Sequence, residues 1–185
     1  MKLQNIEFYT TPIGEVMIKQ RGQAVRKYVQ SDTELTHQML EIISEFYTEA
    51  FDALCELYTK SETNKAYYEY LIVHRFIRCN FAEYDNTNDI DHIGVFRFEF
   101  VSCPLRGECK YYEIICSPKF NSKLTEREHE VMKLYYESLS TEQIADRLYI
   151  SIKTVEKHKS NALKKLNLHS LAEFNSYASN HKIFN

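Results

Sequence analysis

Apolar and polar positions follow three different rhythms along this 185-residue chain. Residues 1–30 alternate loosely, and Thr11-Pro12-Ile13-Gly14 interrupts the alternation as a turn between short strands would. From Asp32 the spacing lengthens. Leu35, Met39, Ile42, Ile43, Phe46, Phe51, Leu54 and Leu57 recur three or four apart behind a capping Ser31 or Asp32, which predicts one long amphipathic helix. A second helix is predicted over about 62–78, with Tyr70, Val73, Phe76 and Ile77 on one broad face, placed to pair with the first as an antiparallel hairpin.

A polar stretch, YDNTNDIDH, separates these helices from a segment in which Val95, Phe96, Phe98, Phe100 and Val101 alternate with polar residues. That alternation predicts a strand, with Tyr111–Cys116 (YYEIIC) as its partner. The acidic loop lacks the alternate ligands, central Gly and distal Glu of an EF-hand, so it is expected to be a solvated turn. Pro118 ends any strand, and residues 118–123 are expected to link an α+β domain (residues 1–117) to a purely helical one (residues 124–185).

The helical third is punctuated by caps. Thr125 with Glu128 and Ser140 with Gln143 have the spacing of capping boxes, and Ser151 precedes a third apolar-periodic run. Between them lie Val131, Met132, Leu134 and Tyr135, then Ile144, Ala145 and Leu148, then Val155, Ala162, Leu163 and Leu166. The result is a helix, a helix of about two turns and a longer helix joined by a sharp turn at Tyr149-Ile150, the pattern of a helix-turn-helix.

The residues Leu124-Thr125, Arg127-Glu128, Glu130-Val131, Leu139-Ser140, Glu142-x-Ile144-Ala145, Leu148, Ile150-Ser151, Thr154-Val155-x-x-His158 and Lys165-Leu166 resemble the LuxR/FixJ-type DNA-binding domain over about fifty residues, roughly Leu124 to Phe174. The resemblance implies an all-α four-helix domain whose third helix enters the major groove, and a fourth helix, here about 170–180, used for dimerisation on two-fold related half-sites. It implies a bacterial or phage transcription regulator. Three turn positions that are usually glycine in that family are Ser138, Tyr149 and Asn167 here, and a side chain at a left-handed position costs on the order of 1 kcal/mol. At Tyr149 this leaves room for a turn of different shape. A frequently basic position is Glu156, which either accepts from cytosine N4 or lowers affinity.

Charge sharpens the picture. The net charge of −3 conceals an asymmetry: residues 121–185 hold 10 Lys and Arg against 8 Asp and Glu, leaving 13 against 18 for the first 120. Within Ser151–Leu168, Lys153, Lys157, Lys159, Lys164 and Lys165 face Glu156 alone, which suits a phosphate-facing segment. Helical geometry points Lys153, Glu156, Lys157 and Ser160 outward near the helix start as base-reading candidates. Thr154, His158, Lys159 and Lys164 are the phosphate candidates.

Four of the five cysteines lie between Cys79 and Cys116, with Cys103, Cys109 and Cys116 spaced C-x5-C-x6-C. Such clustering predicts a metal site of Cys79, Cys103, Cys109 and Cys116, zinc first and an iron–sulfur cluster as the alternative, with free thiols as the remaining reading. His74 or His92 is a substitute for Cys79, and Arg106 and Lys110 would offset thiolate charge. The spacing matches neither zinc knuckles nor ferredoxin runs. Cys55, alone in a helix, is expected to be a small core residue.

The composition is that of a globular protein: 44% hydrophobic and 26% charged residues, with 4 Gly and 3 Pro. No apolar run reaches the roughly 20 residues a membrane helix needs, and the N-terminus lacks the apolar core of a signal peptide, so a cytoplasmic protein with no membrane partner is expected. No catalytic triad order, Walker loop, dinucleotide turn or paired-carboxylate spacing is present, and residues 1–120 lack the βα alternation of a receiver domain, so no enzymatic activity and no phosphorelay control are expected. The sequence thus predicts a homodimeric regulator of transcription that binds double-stranded DNA through helix 151–166 under control of its N-terminal domain, with RNA polymerase or another regulator as a further partner. The alternative is an adaptor or antagonist of another regulator that keeps the helical unit as a docking or dimerisation surface.

Overall fold

The computed structural model describes residues 3–85, 87–181 and 183–184. The chain forms two compact units that divide between Lys119 and Phe120.

The first unit opens with an antiparallel sheet in the order β1 (Ile6–Thr10), β2 (Val16–Gln20), β3 (Arg26–Lys27). Phe8 stands opposite Ile18, and the turn after β1 carries the Thr11–Gly14 break, closed by the Gly14 N–H donating to the Thr11 carbonyl at 2.8 Å. The expected long helix is two: α1 (Thr33–Phe46) and α2 (Thr48–Tyr58). No Pro or Gly marks the break. Tyr47 leaves helical geometry and buries its ring against Phe76, Phe96 and Phe98, so an aromatic cluster formed by distant segments overrides a continuous helical pattern. Helix α3 (Lys65–Asn80) starts at Asn64, whose side chain accepts from the Tyr67 N–H, and packs on α1, α2 and the first two strands. Val73, Phe76 and Ile77 are fully buried at the centre of this core.

The expected hairpin of residues 95–101 with Tyr111–Cys116 is not formed among the described residues. Ile90 makes single bridges with Ile6 and Phe96 instead. The alternation of Phe96 and Phe98 serves ring packing on Phe76 and Phe81 rather than a ladder. Residues 103–115 wind through successive turns, with the Arg106, Cys109, Tyr112 and Ile115 N–H groups each donating three or four residues back. Fully buried Asn80 holds the end of this winding in place: its Nδ2 donates to the Phe76 carbonyl at 3.0 Å and the Ile115 carbonyl at 2.8 Å, and its Oδ1 accepts from the Ser117 N–H at 2.8 Å.

The second unit is four helices: α4 (Glu126–Tyr136), α5 (Thr141–Leu148), α6 (Ile152–Lys165) and α7 (Leu171–Asn180). Both capping boxes close as expected, with Thr125 accepting from the Glu128 N–H and Ser140 from the Gln143 N–H while the two side chains reply. Ser151 caps α6 and Ser170 caps α7 in the same way, each accepting at 3.1 Å from the N–H three residues on. The core joins Val131, Met132, Ile144, Val155, Ala162 and Phe174. Of the expected linker, Phe120 stacks on His181 at 4.4 Å between ring centres, and Ser122 is buried. Among the described residues, no helix is long and apolar enough to cross a membrane.

Candidate functional site

Helix α6 is held by its neighbours and displays what they leave uncovered. Val155 and Ala162 are fully buried against α4 and α5. At about 100° per residue, the positions opposite them are Lys153, Lys157, Ser160, Asn161 and Lys164, and all five are exposed. Glu156 is exposed on the flank. Lys153 and Lys164 stand eleven residues apart, a stripe of about 16 Å at 1.5 Å per residue, long enough to track a groove wall.

The remaining candidates lie off that stripe. Thr154 is half-buried, with its hydroxyl 2.8 Å from that of Ser151. His158 and Lys159 are half-buried on the two flanks of the core seam, and the Lys159 ammonium sits 5.4 Å from the centre of the Tyr135 ring. Lys165 turns away to pair with Glu128 and so does not add to the outward charge. Asn161 is the face residue that sequence reasoning missed; its spacing from Lys157 and Lys164, four and three residues, was the available signal. Ile152, in the first turn, is also exposed.

The turn before α6 keeps its left-handed shape without glycine. Tyr149 takes φ 54° and ψ 44°, and its side chain is 94% exposed. Ser138 and Asn167 also take positive φ, at 68° and 55°. The room left for a differently shaped turn is therefore not used: the Tyr149 and Ile150 N–H groups close α5 as a left-handed cap closes a helix.

In the first unit, Cys79, Cys103, Cys109 and Cys116 line one cavity of about 170 Å³ together with Arg75, Arg78 and Arg106. All four are free thiols, and those of Cys79 and Cys116 hydrogen-bond to each other. The compact tetrahedron of a single-ion zinc site is not formed: among the described residues, no three His, Cys, Asp or Glu side chains converge on a point that would hold one ion. His74 is not among the residues lining the cavity: it lies against the Tyr28 and Tyr70 rings, where burial pushes its pKa down to about 4. Lys110 lies over the Tyr111 ring rather than in the cavity. Arg106 does line it, with its guanidinium over Phe100 and donating to the Val101 carbonyl. Arg75 and Arg78 were missed by sequence reasoning, although with Cys79 they form an i, i+3, i+4 set on α3. Cys55 lies half-exposed in α2, not in the core.

Residues 122–178 match the family described as bacterial regulatory proteins, luxR family. Similar proteins include the oxygen regulatory protein NreC of Staphylococcus carnosus, 40% identical over 60 residues, covering 32% of this chain and 28% of that protein. The fimbriae Z protein of Escherichia coli is 46% identical over 55 residues, covering 30% and 26% respectively, and that of Salmonella typhimurium is 38% identical over 60 residues, covering 32% and 29%. The matched part thus spans under a third of each of these relatives. Four helices, their serine and threonine caps and this match agree: residues 122–178 are a helix-turn-helix domain of the luxR family of bacterial regulatory proteins.

Proposed function

We propose that this protein is a DNA-binding regulator of transcription that reads the major groove with the outward face of α6, under the control of its N-terminal unit. The observation that carries the reading is the stripe of Lys153, Lys157, Ser160, Asn161 and Lys164 opposite the buried seam of a luxR-family domain. Lys164 near the helix end meets phosphate, while Lys153, Lys157, Ser160 and Asn161 offer the ammonium, hydroxyl and amide groups that pair with base edges. The N-terminal unit, folded separately with a cavity of its own, is the part available for receiving a signal.

The test is binding of the full chain to mixed and selected DNA across a salt series. Binding that falls linearly with log salt is expected, because each neutralised phosphate releases counterions. The Lys157→Ala variant should bind its selected site on the order of tenfold more weakly than the parent chain. Salt-independent binding, or a selection that enriches no sequence, would overturn the proposal and favour a docking surface instead.

A further inference from the structure

We propose that Cys79 and Cys116 form a site of oxidation by hydrogen peroxide, in which the Cys116 thiolate attacks the peroxide and Cys79 then closes a disulfide with it. The two thiols lie in direct hydrogen-bond contact, Cys79 at the end of α3 and Cys116 at the end of the winding. Asn80 holds them there. It follows Cys79 directly, and its side chain bonds the Ile115 carbonyl and the Ser117 N–H, the backbone groups on either side of Cys116. Sulfurs in such contact are too close to ligate separate irons, whereas a disulfide asks only that they close further, to about 2.05 Å.

The surroundings divide the roles between the two thiols. The Cys79 S–H donates to Cys116 and holds that thiol below its ordinary range; burial opposes the effect, and Arg106 and Arg75 add to it. Cys79 is pushed up, first by the same contact and then by burial, so it keeps its proton. One sulfur is thus the nucleophile and its neighbour the resolving thiol. The Nε groups of Arg75 and Arg106 are buried with no hydrogen-bond partner among the described residues, and both side chains line the cavity. A buried donor without an acceptor is costly, and the oxygen that gains negative charge as the peroxide bond breaks would supply one. The cavity, of about 170 Å³, has room for a molecule as small as hydrogen peroxide, and Cys103, Pro104 and Leu105 of its lining are exposed, which gives access from solvent.

The chemistry balances in two steps. The Cys116 thiolate attacks one peroxide oxygen: an S–O bond forms, the O–O bond breaks, and sulfur gives up two electrons. The departing hydroxide takes up the proton that Cys116 had released and becomes water. Cys79 sulfur then attacks the Cys116 sulfenic acid; the S–S bond forms, the S–O bond breaks, and the oxygen leaves as a second water with the Cys79 proton. Two thiols and one hydrogen peroxide give one disulfide and two waters, and a dithiol reverses the product by exchange. These steps use the N-terminal unit alone and are independent of what α6 binds.

The experiment is treatment of the reduced full chain with one equivalent of hydrogen peroxide at neutral pH, followed by alkylation and peptide mass mapping. The expected result is loss of two thiols per chain, a linked Cys79–Cys116 peptide pair, and recovery of both thiols with dithiothreitol. Cys79→Ser should stop at a Cys116 sulfenic acid, which dimedone captures, and Cys116→Ser should lose the disulfide and leave Cys79 reduced. Cys55 lies outside the cavity, so Cys55→Ser should react like the parent chain. The linkage mapped in the parent chain decides the matter even where a variant fails to fold. Three results would overturn the proposal: no thiol lost, a linkage between other cysteines or between two chains, or undiminished thiol loss in Cys116→Ser.

Discussion

Lys165 donates from its ammonium to Glu128 Oε2 at 2.6 Å, pinning the last turn of α6 to the first turn of α4. The carboxylate is 5% exposed and accepts at the same time from the Thr125 N–H, so one acidic group serves both a helix cap and an interhelical ion pair. Lys165→Met removes the ammonium and leaves that carboxylate buried, which should cost about 2 kcal/mol in urea unfolding of the C-terminal unit. The same pair sets an acid limit. Burial on its own pushes Glu128 up, but Lys165 and the Thr125 N–H and hydroxyl outweigh it and hold the folded carboxyl below its ordinary range. A depressed folded value means the pair's stabilisation is present above the unfolded value of about 4.3 and is lost as pH falls below it. A midpoint for this unit that is flat between pH 4 and pH 3 would contradict the assignment.

Tyr149→Gly should stabilise the C-terminal unit. The backbone there is left-handed, the ring is 94% exposed, and glycine adopts φ 54° without the Cβ penalty. The expected gain is about 1 kcal/mol, read as a rise in thermal midpoint of several degrees.

Asp89 predicts the opposite pH trend in the N-terminal unit. The side chain is 1% exposed, and its Oδ2 accepts from the Phe8 N–H. Burial first, with Glu99, Glu7 and Asp85 adding to it, pushes the Asp89 carboxyl up to about 9. An acid raised from an unfolded value of about 3.9 is neutral in the folded state over a window where the unfolded chain is charged. Stability of this unit is therefore greatest below about pH 4 with respect to this group and declines as pH rises towards about 9. Asp89→Asn should flatten that decline and add on the order of 2 kcal/mol at neutral pH; an unchanged pH profile of the denaturation midpoint would rule the account out.

Asn80→Ala should destabilise the N-terminal unit by about 2–3 kcal/mol, because the Ile115 carbonyl and Ser117 N–H lose their shared buried partner. Hydrogen exchange at 115–117 should accelerate more than exchange in the sheet, since the clamp is local. Equal acceleration in both places would show that the side chain supports the whole unit instead.

The C-terminal helices were legible because their boundaries are written locally: a serine or threonine and the third residue after it close each start, whatever surrounds them. The N-terminal breaks were not local. Nothing near Tyr47 interrupts the helical spacing, and only Phe76, Phe96 and Phe98, far away in sequence, explain why the chain turns there. The run from Phe96 to Phe100 has the alternation of a strand, but ring-on-ring packing can produce period two without a partner strand. In the candidate sites, the cysteine grouping and the lysine-rich helix were visible as types and spacings. The sequestration of Lys159 by Tyr135 and of Lys165 by Glu128 depends on which elements pack together, which charge counting cannot register.

The left-handed turn at Tyr149 has a consequence for fragments of the chain. An isolated peptide covering 139–166 would have the same residues but little reason to hold that shape, since an exposed tyrosine prefers ordinary right-handed or extended backbone. The geometry that aims α6 is imposed by burial of Ile144, Ala145 and Val155 against α4, so it belongs to the assembled domain and is cooperative with it. Loosening α4 would release the turn and misdirect α6 together, at a site that no residue of α4 needs to touch.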